Sequence, residues 1–278
     1  MNLSRSFIWR KLRERIILAR HRKVASICEQ LIAKQNTTPE HYCFSPKATF
    51  DSDKIIWQYW GQGFDKVPNV TQRCLKSVEE NCPGYTIIRL TDGNLSNYLD
   101  LPEFVENKRQ KFSKAHFADI LRLMLLSTYG GVWMDATIMM TSPIPEDWAK
   151  QDFFVFRRDP NEPNIRYWRN TYAYYFGWAK GFRVNMLNSF IIARKGNKTI
   201  NDLCDLMLRW WKEHDSLPDY FFFQILYDVY GTKDVFPLVS DTLPHYLQQS
   251  FSDPTFSLMS QDRIKQVFPL HKLTYKND

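Results

Sequence analysis

Residues 113–140 hold the side chains whose types and spacing best suit chemistry. His116, Asp119 and Arg122 recur at intervals of three, and Asp135 follows just beyond the Gly130-Gly131 pair. On a helix, intervals of three bring side chains onto one face. Around them Phe117, Ile120, Leu121, Leu123, Met124, Leu125 and Leu126 are apolar on nearly every other side, the pattern of a core helix. Unpaired charge is costly to bury, so this ionisable stripe must be paired internally or face a ligand pocket. Two readings follow. In one, Asp119 and Arg122 form a structural ion pair and Asp135 caps a neighbouring loop. In the other, the carboxylates accept, and the guanidinium donates, hydrogen bonds to a polar ligand. Spacing alone favours neither, because structural pairs also bury carboxylates.

The elements that must position these groups can be read around them. Ser113 is the N-cap of a helix that no Pro or Gly interrupts before Tyr129, and Gly130-Gly131 ends it where positive φ is cheap. Val132–Met140 reads as a buried strand with Asp135 in its middle. Upstream, Asp53–Trp60 is a first strand, Asn69–Asn81 an amphipathic helix and Tyr85–Leu90 a second strand. This order implies an α/β fold, with a mainly parallel sheet flanked by helices and ligands bound at strand carboxyl ends. Trp60 and Asp135 lie at or near two such ends. Gly61-Gln62-Gly63 lacks the spacing of a dinucleotide fingerprint. Residues 143–184 are aromatic, basic and irregular, as in a binding loop or a subdomain with its own small core. Asn185–Ala193 returns to a strand, and Asn197–Trp211 is an amphipathic helix. A further helix over Leu217–Tyr230 would carry Asp219 in its first turn, where a carboxylate complements the helix dipole. No chemistry is legible from Val235 onward.

Composition sets the outer bounds. With 278 residues, 44% hydrophobic and 15% aromatic, the chain can bury a sizeable core and is not globally disordered. The expected division is a basic helical extension and linker (1–50), a main domain (51–240) and a C-terminal tail packed on it (241–278). A net charge of +7 suits an anionic partner. Five scattered cysteines without a Cys-x-x-Cys point to a reducing compartment rather than a zinc site or disulfide framework. Eight Lys and Arg against one acid in the first 23 positions, with Ile8, Leu12, Ile16, Ala19 and Val24 on a rough apolar face, mark a basic amphipathic helix. It either binds a membrane surface or docks on the domain by that face. No run reaches the length of a membrane span.

Ala118-Asp119-Ile120-Leu121-Arg122, followed by Tyr129-Gly130-Gly131-Val132-Trp133-Met134-Asp135-Ala136-Thr137, resembles the signature of bacterial capsular polysaccharide synthesis glycosyltransferases. That family is related to glycosyltransferase family 32 and, more distantly, to the glucosylating toxins. The resemblance continues through residues 54–61, Asn188-Ser189-Phe190-Ile191 and Asp219-Tyr220-Phe221. It implies a GT-A-like, nucleotide-sugar-binding fold that moves a sugar from a nucleotide-sugar donor to a glycan or lipid-linked oligosaccharide acceptor with retention.

By the same resemblance Trp60 stacks on the donor base, with Ile56 beside it in the nucleotide site. Asp119 and Arg122 grip the donor sugar, and Asp135 holds the ribose, a divalent cation (Mn²⁺ or Mg²⁺), or both. Relatives usually carry Asp-x-Asp at this strand end, whereas this chain has Thr137 at the second position, a poor substitute for a carboxylate. Asp219 could complete the metal site. The resemblance also implies a cytoplasmic protein, peripherally bound through its N-terminal helix to the anionic inner face of the plasma membrane. No nucleic acid is expected. The alternatives are a toxin-like transferase that modifies a protein and a non-catalytic basic module that binds nucleic acid or membrane.

Overall fold

Apolar runs bounded by turn residues give the sheet its strands, and amphipathic segments between them give its helices. The structure is a computed structural model that describes residues 3–275, with side chains from Ile8 onward. In chain order it comprises α1 (Leu3–Thr37), β1 (Ile55–Tyr59), α2 (Asn69–Asn81), β2 (Thr86–Leu90), α3 (Glu103–Lys108), α4 (Lys114–Tyr129), β3 (Gly131–Met134) and β4 (Ile138–Met140). It continues with α5 (Glu146–Ala149), β5 (Phe153–Arg157), α6 (Ile165–Thr171), β6 (Met186–Ala193), α7 (Lys198–Glu213), α8 (Phe222–Tyr230), α9 (Tyr246–Ser252), α10 (Gln261–Val267) and β7 (Leu270–Lys272).

Five strands form one sheet in the order β2-β1-β3-β6-β5. Strands β1, β2, β3 and β5 run one way and β6 runs against them. The α/β, mostly parallel sheet flanked by helices is therefore the one that the order of elements implied. β1 is buried along its whole length, between β2 and β3. Helix α4 is buried around nearly its whole circumference and packs on α7 and the sheet. The Ser113 hydroxyl accepts from the His116 N–H and so caps it. Gly130 and Gly131, at φ +74° and +98°, turn the chain from α4 into β3. A Cβ on Gly131 would stand 2.6 Å from the Ile55 carbonyl oxygen, and one on Gly130 would stand 2.6 Å from the Lys195 nitrogen. Only glycine fits both the backbone angle and the close approach.

Several sequence boundaries need correction. The segment from Val132 to Met140 is two strands, not one. β3 stops at Met134, and Asp135 opens a turn that the Ile138 N–H closes onto the Asp135 carbonyl at 2.9 Å. The irregular stretch 143–184 contains an edge strand, β5, paired with β6. Helix α8 begins at Phe222, so Asp219 lies in the preceding turn and accepts from the Phe221 N–H at 2.7 Å. The region after Val235 forms α9, α10 and β7, and β7 pairs antiparallel with β4.

Two main cores hold the molecule, with a small third cluster of Val67, Leu75 and Ala136 packed against Trp60 and Phe64. The larger lies on the sheet, and Ile17, Val24, Cys28 and Leu31 of α1 belong to it. The smaller joins Trp168 and Phe176 from the 143–184 stretch to Tyr246, Leu247, Ile264 and Leu273. Arg158 clamps this junction. Its Nε donates to Asp241 at 2.9 Å, and its Nη1 and Nη2 donate to the Gly177 and Tyr175 carbonyls at 2.7 and 2.9 Å. Of the stripe that the sequence suggested for α1, only Val24 docks. The docked face of the helix carries Ile17, His21, Val24, Cys28 and Leu31, whereas Ile8, Leu12 and Ile16 are exposed.

Candidate active site

β1 and β3 are parallel neighbours, in register through Ile56–Val132 and Trp57–Trp133. Their carboxyl ends therefore open side by side, and Trp60 and Asp135 lie just beyond them. The cleft there, about 550 Å³, is bounded by the first half of α4, the start of β6, the turn before α8, and the segment around β7.

At its floor lies a compact set of charges. Asp119 and Arg122, each 3% exposed, sit on the face of α4 that meets β6. Arg122 donates through Nε to the Ala118 carbonyl at 2.9 Å and through Nη1 to the Asn188 carbonyl, and its Nη2 forms an ion pair with Asp119 Oδ1 at 3.3 Å. Asn188 Nδ2 donates to the same Asp119 oxygen at 2.8 Å. The guanidinium also lies 3.8 Å from Asp135 Oδ1 and 4.9 Å from the centre of the Trp133 ring. Asp135 accepts from Trp133 Nε1 at 2.8 Å on one oxygen and from Lys272 Nζ at 3.1 Å on the other. The same ammonium donates to Thr137 Oγ1 at 2.5 Å.

The two carboxylates are driven apart electrostatically. Burial pushes Asp119 up to about 6, against the opposing pull of Arg122 and the Asn188 hydrogen bond. Burial acts upward on Asp135 too, but Lys272 and Arg122, with the Trp133 hydrogen bond, outweigh it and hold this carboxyl below its usual range.

The walls carry rings and unsatisfied polar atoms. Trp60 is met edge-on by Tyr275, with ring centres 5.1 Å apart, and His116 lies beside Tyr220. Among the described residues, Gln224 Oε1 and the Nε2 atoms of His116 and His245 are buried without a hydrogen-bond partner in the protein. Burial, with Lys272 and Arg158 nearby, lowers His245 to about 3, so its ring is neutral. Orphaned donors and acceptors around a cleft are what a hydroxyl-rich ligand would satisfy.

The structure brings together Trp60, Asp119, Arg122 and Asp135. It does not bring Ile56 or Asp219 to them. Ile56 is fully buried in β1 and belongs to the core, and Asp219 lies outside the lining of the cleft, paired with Arg20 of α1. The residues around Asp135 do not fit a divalent cation. The Lys272 ammonium, itself a cation, bonds both Asp135 and Thr137 where the ion would have to sit, and among the described residues no group of three or more His, Cys, Asp or Glu could hold a metal ion. Sequence reasoning missed Lys272, Tyr275, His245 and Gln224. Asn188, Ser189, Tyr220 and Phe221, which also line the cleft, did carry a signal, as parts of runs that resembled the family.

An α/β sheet with a charged, aromatic cleft at its strand ends defines a ligand-binding class of chain. The match that specifies it covers residues 6–278, and the chain belongs to the capsular polysaccharide synthesis protein family. It is similar to the O-glycosyltransferase braB of Annulohypoxylon truncatum, with 30% identity over 172 residues, covering 58% of this chain and 38% of that protein. It is also similar to the O-glycosyltransferase PaGT of Phomopsis amygdali, with 26% identity over 186 residues, covering 60% and 41%. The chain thus spans about two-fifths of the length of these curated relatives. Among solved structures, the PaToxG glycosyltransferase aligns over 78% of this chain and 79% of its own, at 17% identity and a TM-score of 0.38.

Proposed function

We propose that the chain is a glycosyltransferase of GT-A type that moves a sugar from a nucleotide-sugar donor to a glycan acceptor in surface polysaccharide synthesis. The observation that carries this reading is the Asp119–Arg122–Asn188–Asp135 network at the carboxyl ends of β1 and β3, beside Trp60. Trp60 offers a flat face to the base. Asp119 and Arg122 supply an acceptor and a donor for vicinal hydroxyls, and the orphaned atoms of Gln224, His116 and His245 supply more. A panel of nucleotide sugars should raise the melting temperature, and the one that does so most should be turned over in the presence of a glycan acceptor. Failure of every nucleotide sugar to bind or react would end this reading. Label appearing on protein rather than glycan would favour the toxin-like alternative.

The second element of the proposal is attachment to an anionic membrane. Trp9 and Ile16 are 67% and 59% exposed, and with Ile8 and Leu12 they form an apolar strip on α1 beside the exposed Arg15, while Arg10 and Arg13 bond to Asn170 and the Arg169 carbonyl. Such a strip inserts at the headgroup boundary while each nearby cation contributes on the order of 1 kcal/mol. Among the described residues no helix is long and apolar enough to cross a membrane. Trp9→Ser with Ile16→Ser should release the protein from phosphatidylglycerol vesicles in flotation, with turnover on a soluble acceptor preserved. Equal flotation of this variant and the unmodified chain would refute the attachment.

A further inference from the structure

The geometry points to Lys272 as the built-in cation of this site: we propose that its ammonium, rather than a divalent metal, neutralises the diphosphate of the donor. The inference rests on the reading of the cleft as a nucleotide-sugar site. Lys272 closes β7, directly opposite Ile138 of β4, and the Leu273 N–H donates to the Thr137 carbonyl at 3.0 Å. This pairing fixes the lysine beside the turn that follows β3. Its Nζ donates to Asp135 Oδ2 at 3.1 Å and to Thr137 Oγ1 at 2.5 Å. An ammonium has three N–H donors, so one remains for a phosphate oxygen.

Charge balance explains why Thr137 and Lys272 belong together. Two carboxylates with a divalent ion sum to zero, and so do one carboxylate and one ammonium. Replacing the second Asp by Thr while adding Lys272 therefore preserves the local charge and moves the cation from solution onto the chain. A divalent ion in the same place would face an ammonium bonded to the same Asp135 oxygen it needs, and like charges at such separations repel strongly.

In the step itself, the bond between the anomeric carbon and the diphosphate oxygen breaks, and its electron pair leaves with that oxygen. The acceptor oxygen forms the new bond to the anomeric carbon, and its proton passes to the departing diphosphate. Lys272 takes no part in the proton transfer. It stabilises the charge that gathers on the leaving oxygen, as a fixed donor in a partly dry site does. Asp135 then acts as a positioning residue for Lys272.

The test uses the full chain and isothermal titration with UDP, GDP, CDP and ADP, each beside its nucleoside, in EDTA and in Mn²⁺. The unmodified protein should bind its preferred diphosphate equally, within about twofold, in both media. Lys272→Met should weaken the diphosphate at least tenfold, leave the nucleoside within twofold and keep a cooperative melt, whereas Lys272→Arg should retain most of the affinity. Thr137→Asp combined with Lys272→Ala should bind the diphosphate only with Mn²⁺. Diphosphate binding that vanishes in EDTA, or a Lys272→Met protein that binds like the unmodified chain, overturns the proposal. Should Lys272→Met fail to fold, the EDTA comparison on the unmodified protein decides alone. If no diphosphate binds in either medium, the transferase reading falls and takes this inference with it.

Discussion

Asp119→Asn should make the protein more stable, and increasingly so as pH rises. The ordinary carboxyl value of 3.8 is pushed up to about 6 by burial in the α4–β6 seam. A shift of about 2 units at roughly 1.4 kcal/mol per unit makes ionised Asp119 cost the fold about 3 kcal/mol. The sign follows from proton binding. The folded state holds the proton more tightly than the unfolded chain, so the favourable contribution is full below pH 3.8 and lost as pH rises through 6. Asparagine mimics the protonated acid. It can keep the hydrogen bond to Asn188 and does not strand Arg122, which still has Ala118, the Asn188 carbonyl and Asp135. In urea unfolding followed by tryptophan fluorescence, the variant should exceed the unmodified chain by about 1 kcal/mol at pH 4.5 and about 3 kcal/mol at pH 7.5. Donor binding should fall in the same variant, since stability and function trade off at such sites. A gap that is flat or closes with rising pH would show that Arg122 outweighs burial and that the pair is structural.

Asp135→Asn should lower turnover by about a hundredfold or more while the protein still folds, and should lower the melting temperature at neutral pH but not in acid, because it removes the ionised group that Lys272 and Arg122 stabilise while keeping the shape. Normal turnover in the folded variant would remove Asp135 from the site. Trp60→Ala should weaken nucleoside diphosphate binding by roughly tenfold or more, the scale of one base–ring stack of about 1–3 kcal/mol. An unchanged Kd would argue against stacking. Asp241→Ala should destabilise the fold by about 3–5 kcal/mol in thermal or urea unfolding, because it removes the acceptor of three Arg158 hydrogen bonds and leaves the buried guanidinium without its carboxylate. A loss under about 1 kcal/mol would mean that the carbonyls of Tyr175, Gly177 and Val184 suffice.

The central helix and sheet were legible because their signals are local. Ser113 capping α4, the glycine pair at the helix–strand turn, and the period of α2 each depend on a few neighbouring residues, and each element lies where the sequence places it. The spacing of Asp119 and Arg122 likewise placed both on one face. The place of Asp135 near the end of β3 was legible, but its position in a turn was hidden. Ala136, Ile138, Met139 and Met140 are as apolar as a continuing strand, and only the antiparallel arrival of β7 breaks the run. Lys272 was invisible for the same reason: a three-residue strand has no periodicity, and its partner lies far back in the chain. Asp219 shows the converse error, in which a motif residue matched in sequence is engaged elsewhere, by Arg20 of an α1 that the pattern treated as an appendage.

The pairing of β4 with β7 also sets an order of events during folding. Asp135 and Lys272 are 137 positions apart, so the contact that finishes the cleft closes one of the longest loops in the molecule. Loop closure of that length is slow and is rewarded only once both partners are already in place. The α4–β3 unit, built from neighbours in sequence, has no such delay. Refolding should therefore restore far-ultraviolet circular dichroism before it restores nucleotide binding, with an interval in which the sheet exists and its cleft still lacks one wall.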